Sequence, residues 1–264
     1  MEKKIVSEIW IYPIKSLGGI QLESARVLHK GLEYDRRWML VDETNRFMTQ
    51  RVFPSMALFK VSWGAGGFSI HYKNESLLLP FTVQGDLFPA VIWNDTVDVY
   101  EVDPVISNWF THYLGITCKL VAFPEKNPRQ IDPQYAVMPD DVSLADAYPL
   151  LIIGQNSLND LNSRMKEPLP MNRFRPNVVY TGGSPYEEDS WKDFRIGSSR
   201  FAAVKPCSRC VLTTVDQDTA EKGMEPLVTL AKYRREGNKI YFGQNLVVLE
   251  GERIAVGDEV KADS

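Results

Sequence analysis

The stretch Val61-Ser62-Trp63-Gly64-Ala65-Gly66-Gly67-Phe68-Ser69-Ile70 places a short apolar run on each side of a glycine-rich segment. Glycine supplies backbone conformations that other residues avoid, so the pattern predicts two short strands joined by a flexible turn. Working outward, Ile5 to Tyr12 alternates imperfectly between apolar and polar residues, and Trp38 to Asp42 and Leu58 to Trp63 are also strand-like. Short strands punctuated by Gly and Pro predict a barrel or sandwich for this part of the chain.

The period changes at Asp103-Pro104. Asp is a good helix N-cap and Pro is favoured at the first helical position. Trp109, Phe110, Tyr113 and Leu114 then recur at helical spacing until Gly115, which predicts an amphipathic helix packed on the barrel. Cys118 follows in a predicted strand, where a small buried thiol is the usual role of a free cysteine. Pro124 to Pro139 reads as a crossing loop. Leu150 to Gly154 reads as a strand, and Ser157-Leu158-Asn159-Asp160 carries the Ser-x-x-Asp signature of a helix start. A further helix is predicted over Pro226 to Arg235, stopped by Gly237. Strands return at Leu246 to Leu249 and Ile254 to Val256. The class is α+β and rich in strands.

Composition narrows the function. Hydrophobic residues make up 44% of the 264 residues and charged residues 24%, the balance of a globular protein. No apolar run approaches the roughly 18 residues of a membrane span, and the opening residues are too mixed in charge for a secretory signal. A cytoplasmic location is the expectation. The net charge of -4 argues against broad binding of nucleic acid. Cationic residues nevertheless recur in the most distinctive segments: Lys15, Arg36, Arg37, Arg51, Arg173, Arg175, Lys205 and Arg209.

Two of the three cysteines lie in Lys205-Pro206-Cys207-Ser208-Arg209-Cys210, ahead of the strand-like Val211 to Asp216. Zinc would need about four N or S ligands, and His29, His71 and His112 are too scattered to supply a second pair. A thioredoxin-like site would open a helix, whereas β-branched residues follow here. A single thiolate binding a soft metal centre carried by a cofactor is a third reading, beside a pair that is merely buried. Asn172-Arg173-Phe174-Arg175-Pro176-Asn177 sets two arginines around one aromatic. In a strand they would share a face and form a clamp for phosphate or carboxylate, although a solvated edge would look the same. Tyr12-Pro13-Ile14-Lys15-Ser16 reads as a turn that offers a cation and a hydroxyl.

In their order and combination these segments resemble the MOSC superfamily with its N-terminal β-barrel domain, and within it the mitochondrial amidoxime reducing components and bacterial relatives that reduce N-hydroxylated compounds. The resemblance runs over nearly the whole chain. It rests on Tyr12-Pro13-Ile14-Lys15-Ser16, Asp35-Arg36-Arg37-Trp38, Ser143-Leu144-Ala145-Asp146, Leu158 to Arg164, Phe174-Arg175-Pro176-Asn177, Glu188-Asp189-Ser190-Trp191, Cys207-Ser208-Arg209-Cys210, Leu212 to Asp216, and Phe242-Gly243-Gln244.

The resemblance implies an N-terminal β-barrel domain over residues 1–120 and a MOSC β-barrel domain with a few peripheral helices over 121–264. It also implies a molybdenum cofactor, the metal being carried by a pyranopterin with a phosphate tail. Cys210 would ligate the metal, with Cys207 a neighbour. Lys15, Ser16, Arg36, Arg175 and Ser208 would hold the pterin and its phosphate, with Asp146, Ala147, Tyr148 and Arg173 lining the site. Asp146 is a candidate for handling protons. The sequence departs from the family pattern at Ala147 and Tyr148, where small hydroxyl residues are expected, and at Asn245, where an aromatic follows Phe-Gly-Gln. The expected activity is two-electron reduction of a small N-hydroxylated substrate. An iron–sulfur cluster takes four cysteines or a Cys/His mixture, and only Cys118 is uncommitted, so a separate redox protein is the expected electron donor. The alternatives are a carrier or sulfur-relay module bearing a persulfide on Cys207 or Cys210, and a pterin- or phosphate-binding protein without chemistry.

Overall fold

A computed structural model describes residues 3–82 and 84–262. Strands dominate, with three α-helices among the described residues. The glycine-rich turn is a hairpin between Lys60–Gly64 and Gly67–Tyr72, with Trp63 opposite Phe68 and Gly64 opposite Gly67. Glu75–Pro80 extends it to a three-stranded sheet. Gly67 is obligatory for close approach, because a Cβ there would stand 2.1 Å from the carbonyl oxygen of Leu79.

A second sheet orders Trp38–Asp42, Cys118–Ala122, Asp95–Glu101 and Leu87–Ile92. The expected helix is present as Pro104–Leu114. The Asp103 carboxylate accepts from the Val105 N–H at 2.7 Å, and Gly115 ends the helix in the left-handed region. Ile106 and Phe110 form its buried face. Cys118 is buried in its strand, and burial raises its thiol pKa.

The largest sheet joins the two ends of the chain. Its order is Val260–Ala262, Asp193–Ile196, Ser199–Ser208, Lys239–Glu250, Leu150–Gly154, Val178–Thr181, Ile5–Ile11 and Ile20–Leu22, with Arg235–Glu236 folded onto Lys239–Glu250. Leu150–Gly154 and Val178–Thr181 are parallel, and the helix Gln155–Ser163 lies in the crossover between them. The first strand, Ile5–Ile11, pairs antiparallel with Val178–Thr181. Ser24–Leu28 likewise pairs with Arg253–Ala255. One hydrophobic cluster therefore holds Ile14, Phe68 and Phe110 together with Ile152, Val178 and Phe201.

Three local expectations are corrected. Val211–Thr214 is a 3-10 turn and not a strand. The Thr213 hydroxyl donates to the Cys210 carbonyl at 2.9 Å and the Thr214 hydroxyl to the Val211 carbonyl at 2.8 Å, and such local bonds compete with extended backbone. The helix over Pro226 to Arg235 shrinks to Leu227–Leu230. Arg234, whose Nε–H donates to the Tyr241 carbonyl and whose guanidinium pairs with Asp189, draws the chain back onto the sheet. The helix Gln155–Ser163 is real, but Gly154 occupies the cap position. Ser157 is turned to Glu188, and Asp160 to Arg164.

Candidate active site

A cavity of about 480 Å³ opens where the turn after Ile5–Ile11, the loop before Leu150 and the end of Ser199–Ser208 converge. Lys15, Ser16, Arg36, Asp146, Ala147, Tyr148, Arg175, Ser208, Cys210 and Asn245 all line it.

Three of these residues adopt the left-handed backbone conformation without being glycine: Ser16 at φ 69, Arg36 at φ 51 and Arg175 at φ 55. Each such residue costs roughly 1 kcal/mol, and such strain gathers at functional sites. Tyr12 lies under both arginines, 4.4 Å from Arg36 and 4.1 Å from Arg175, and burial raises its phenol to about 12. Arg36 donates to Asp35 at 2.7 Å and to the Asn177 side chain at 3.2 Å. Arg175 is only 7% exposed, and its Nη2 is buried with no hydrogen-bond partner. Burial lowers its guanidinium to about 10.

At the metal-candidate end, Arg51 bridges two groups. Its Nε–H donates to Cys210 Sγ at 3.2 Å and its Nη2 pairs with Asp146. Lys15 Nζ donates to the other Asp146 oxygen at 2.5 Å and to the Leu144 carbonyl at 2.8 Å. Burial lowers Lys15 to about 8, against the opposing pull of Asp146. Burial acts to raise Asp146, but Lys15 and Arg51 outweigh it and hold the carboxyl well below the usual carboxylate range. Trp93 covers Arg51 at 4.8 Å, and its indole N–H reaches Asp146 at 3.3 Å.

Arg51 and Trp93 were not among the expected site residues. Arg51 had a signal, as one of the recurring cations; Trp93 had none, since a turn tryptophan far along the sequence looks like surface.

Cys207 is half-buried, and its sulfur accepts from Arg209 Nη1 at 3.0 Å. Lys205, adjacent to the cysteine motif, sits instead over the Tyr135 ring at 3.6 Å.

Arg173 is the one expected residue that does not line the cavity. The segment is not extended as a shared-face clamp would need: Met171–Arg173 is a 3-10 turn, and the left-handed Arg175 turns the chain so that the two arginines diverge. Arg173 donates to the Thr213 carbonyl at 3.0 Å and pairs with Asp216 at 3.4 Å, pinning the segment after Cys210.

Residues 139–261 match the MOSC domain, and residues 3–117 match the MOSC N-terminal beta barrel domain. The chain belongs to the MOSC-domain family. Within that family it is 33% identical to mitochondrial amidoxime-reducing component 1 of Mus musculus, over 97% of this chain and 81% of that protein. Human mitochondrial amidoxime-reducing component 1 is 32% identical, over 97% and 82%. The molybdenum cofactor sulfurase of Oryza sativa subsp. japonica is 32% identical over 96% of this chain, which spans only 33% of that longer protein. MOSC-domain proteins of this kind are molybdenum-cofactor related. Among the described residues, no helix is long and apolar enough to cross a membrane.

Proposed function

We propose that this MOSC-domain protein binds a molybdenum cofactor and reduces small N-hydroxylated compounds, with electrons delivered by a separate redox protein. The observation that carries the reading is the buried Arg175 guanidinium, which lines the same cavity as the Cys210 thiol and keeps an unpartnered Nη2. A buried cation with an unused donor is costly unless an anion completes it. A phosphate-tailed cofactor that carries a soft metal fits both groups, since Arg pairs with phosphate and thiolate with a soft centre. Lys15, Ser16, Arg36 and Ser208 would complete the cradle, with Ala147, Tyr148 and Asn245 along its walls.

When bound, the cofactor supplies the two-electron chemistry that removes oxygen from an N–OH group and leaves amine and water. The chain does the rest. Cys210 offers the thiolate, and Arg51 fixes that sulfur relative to Asp146. Asp146, held far below neutrality, stays a carboxylate and orients Lys15. Lys15 Nζ, held between Asp146 and the Leu144 carbonyl at the cavity wall and lowered by burial, is a candidate to hold or give a proton there. Trp93 stacks on Arg51 and holds it toward Asp146.

The reading is tested by loading purified protein with cofactor, supplying an artificial reductant and assaying benzamidoxime. Formation of the amidine is expected; no turnover by fully loaded protein counts heavily against it. Similarity to the sulfurases favours a second reading, in which Cys207 or Cys210 carries a persulfide. Mass spectrometry showing that persulfide, alongside no reductase activity, would select it.

A further inference from the structure

Strand register lays out the cavity floor as a row. Lys205 pairs with Asn245, Asn245 pairs with Leu151, and Leu151 exchanges bonds with Asn177, its N–H donating to the side-chain oxygen at 3.2 Å and its carbonyl accepting the Asn177 N–H at 2.8 Å. Asn177 in turn accepts from Arg36. With strands about 4.8 Å apart, three steps separate Lys205 from the Arg36–Arg175 cradle by about 14 Å. Lys205 is thus set apart from the Arg36–Arg175 pair along the cavity floor.

The Lys205 end is built differently from the other. The ammonium lies 3.6 Å from the Tyr135 ring centroid and 6.0 Å from that of Tyr148, and the two rings meet edge to face at 6.2 Å. Among the described residues no carboxylate stands within ion-pair distance of Lys205, unlike Lys15 with Asp146. Asp132, on the same side of the cavity, is tied to its own turn by the Gln134 N–H at 3.1 Å. The aromatic seat holds the cation in place without neutralising it.

We propose that Lys205, seated on Tyr135 beside Tyr148, is a subsite for the anionic end of the substrate, so that the protein prefers N-hydroxylated compounds bearing a carboxylate. The Tyr135 face fixes the ammonium at the cavity wall, and the ammonium gives a charge-assisted bond to the carboxylate. The proposal deepens the reductase reading and rests on it.

The test uses cofactor-loaded protein and two unreactive probes, 4-carbamoylbenzoate and benzamide, with binding followed by ligand-observed NMR titration. Wild type is expected to bind the anionic probe about tenfold more tightly than the neutral one. Lys205→Met removes the difference with pterin content unchanged, whereas Lys205→Arg keeps it. Equal binding of the probes by wild type, or a preference that survives in Lys205→Met, overturns the proposal. So does loss of pterin in Lys205→Met, because Lys205 would then belong to the cofactor. A binding preference without turnover of benzamidoxime or 4-carboxybenzamidoxime would instead sink the reductase reading and leave the subsite standing.

Discussion

Glu188 and Arg175 are both buried ionisable groups, and the protein treats them in opposite ways. Glu188 is completely buried in the region between Leu150–Gly154, Gln155–Ser163 and Val178–Thr181. There it accepts from the Gly154 N–H at 3.1 Å, the Ser157 hydroxyl at 2.9 Å and the Tyr180 hydroxyl at 2.9 Å. Burial raises its carboxyl, and these donors offset part of the rise. Arg175, in the cavity region, keeps an unpartnered Nη2 and a strained backbone. A buried ionisable group whose bonds are all made by the chain holds the chain together. One with a bond left over is arranged for something from outside.

The largest effect separating the two regions falls on stability. Glu188→Ala leaves the Gly154 N–H and two hydroxyls without their acceptor, and it should lower unfolding free energy by about 3 kcal/mol, measured by urea denaturation. The cofactor retained per folded molecule should not change. Arg175→Met should do the reverse: stability should stay within about 1 kcal/mol of wild type, because an incompletely paired buried cation adds little, while bound pterin falls sharply. Retained pterin in Arg175→Met would erase the contrast.

A smaller effect is expected at Asp146, which faces the cavity and is partly solvated. Asp146→Asn should cost about 1 kcal/mol of stability, as for a screened ion pair. Its clearer readout is pH. Lys15 loses its charge as pH rises through about 8, so binding of sulfate to the cofactor-free cavity should weaken over that range. Without the Asp146 carboxylate the Lys15 ammonium is less favoured, and the weakening should move to lower pH. An unmoved titration would show that Asp146 does not govern Lys15.

The same contrast explains what could be read in the sequence. The helix Pro104–Leu114 was legible because Asp103, Pro104 and Gly115 are local signals that tertiary packing did not override. Lys15, Arg36, Arg175 and Cys210 were legible as motif residues, and they meet at one cavity. The divergence of Arg173 from Arg175 was not legible. It depends on one left-handed residue, and nothing in the composition of the segment distinguishes that turn from a strand. Val211–Thr214 misled for a related reason: β-branched threonines favour strands, yet their hydroxyls here bond back to the chain. Arg51, from the loop ahead of Pro54–Leu58, and Trp93, from the turn between Leu87–Ile92 and Asp95–Glu101, acquire meaning only beside Asp146.

The central claim is that the cavity takes a molybdenum cofactor and that the two cysteines within it are unequal, Cys210 ligating the metal and Cys207 held by Arg209. X-ray absorption at the molybdenum edge tests this directly, on wild type, Cys207→Ser and Cys210→Ser made in molybdenum-replete cells. Wild type and Cys207→Ser should show a protein thiolate on molybdenum in addition to the pterin sulfurs, and Cys210→Ser should lack it. A thiolate that persists in Cys210→Ser, or disappears in Cys207→Ser, would contradict the account.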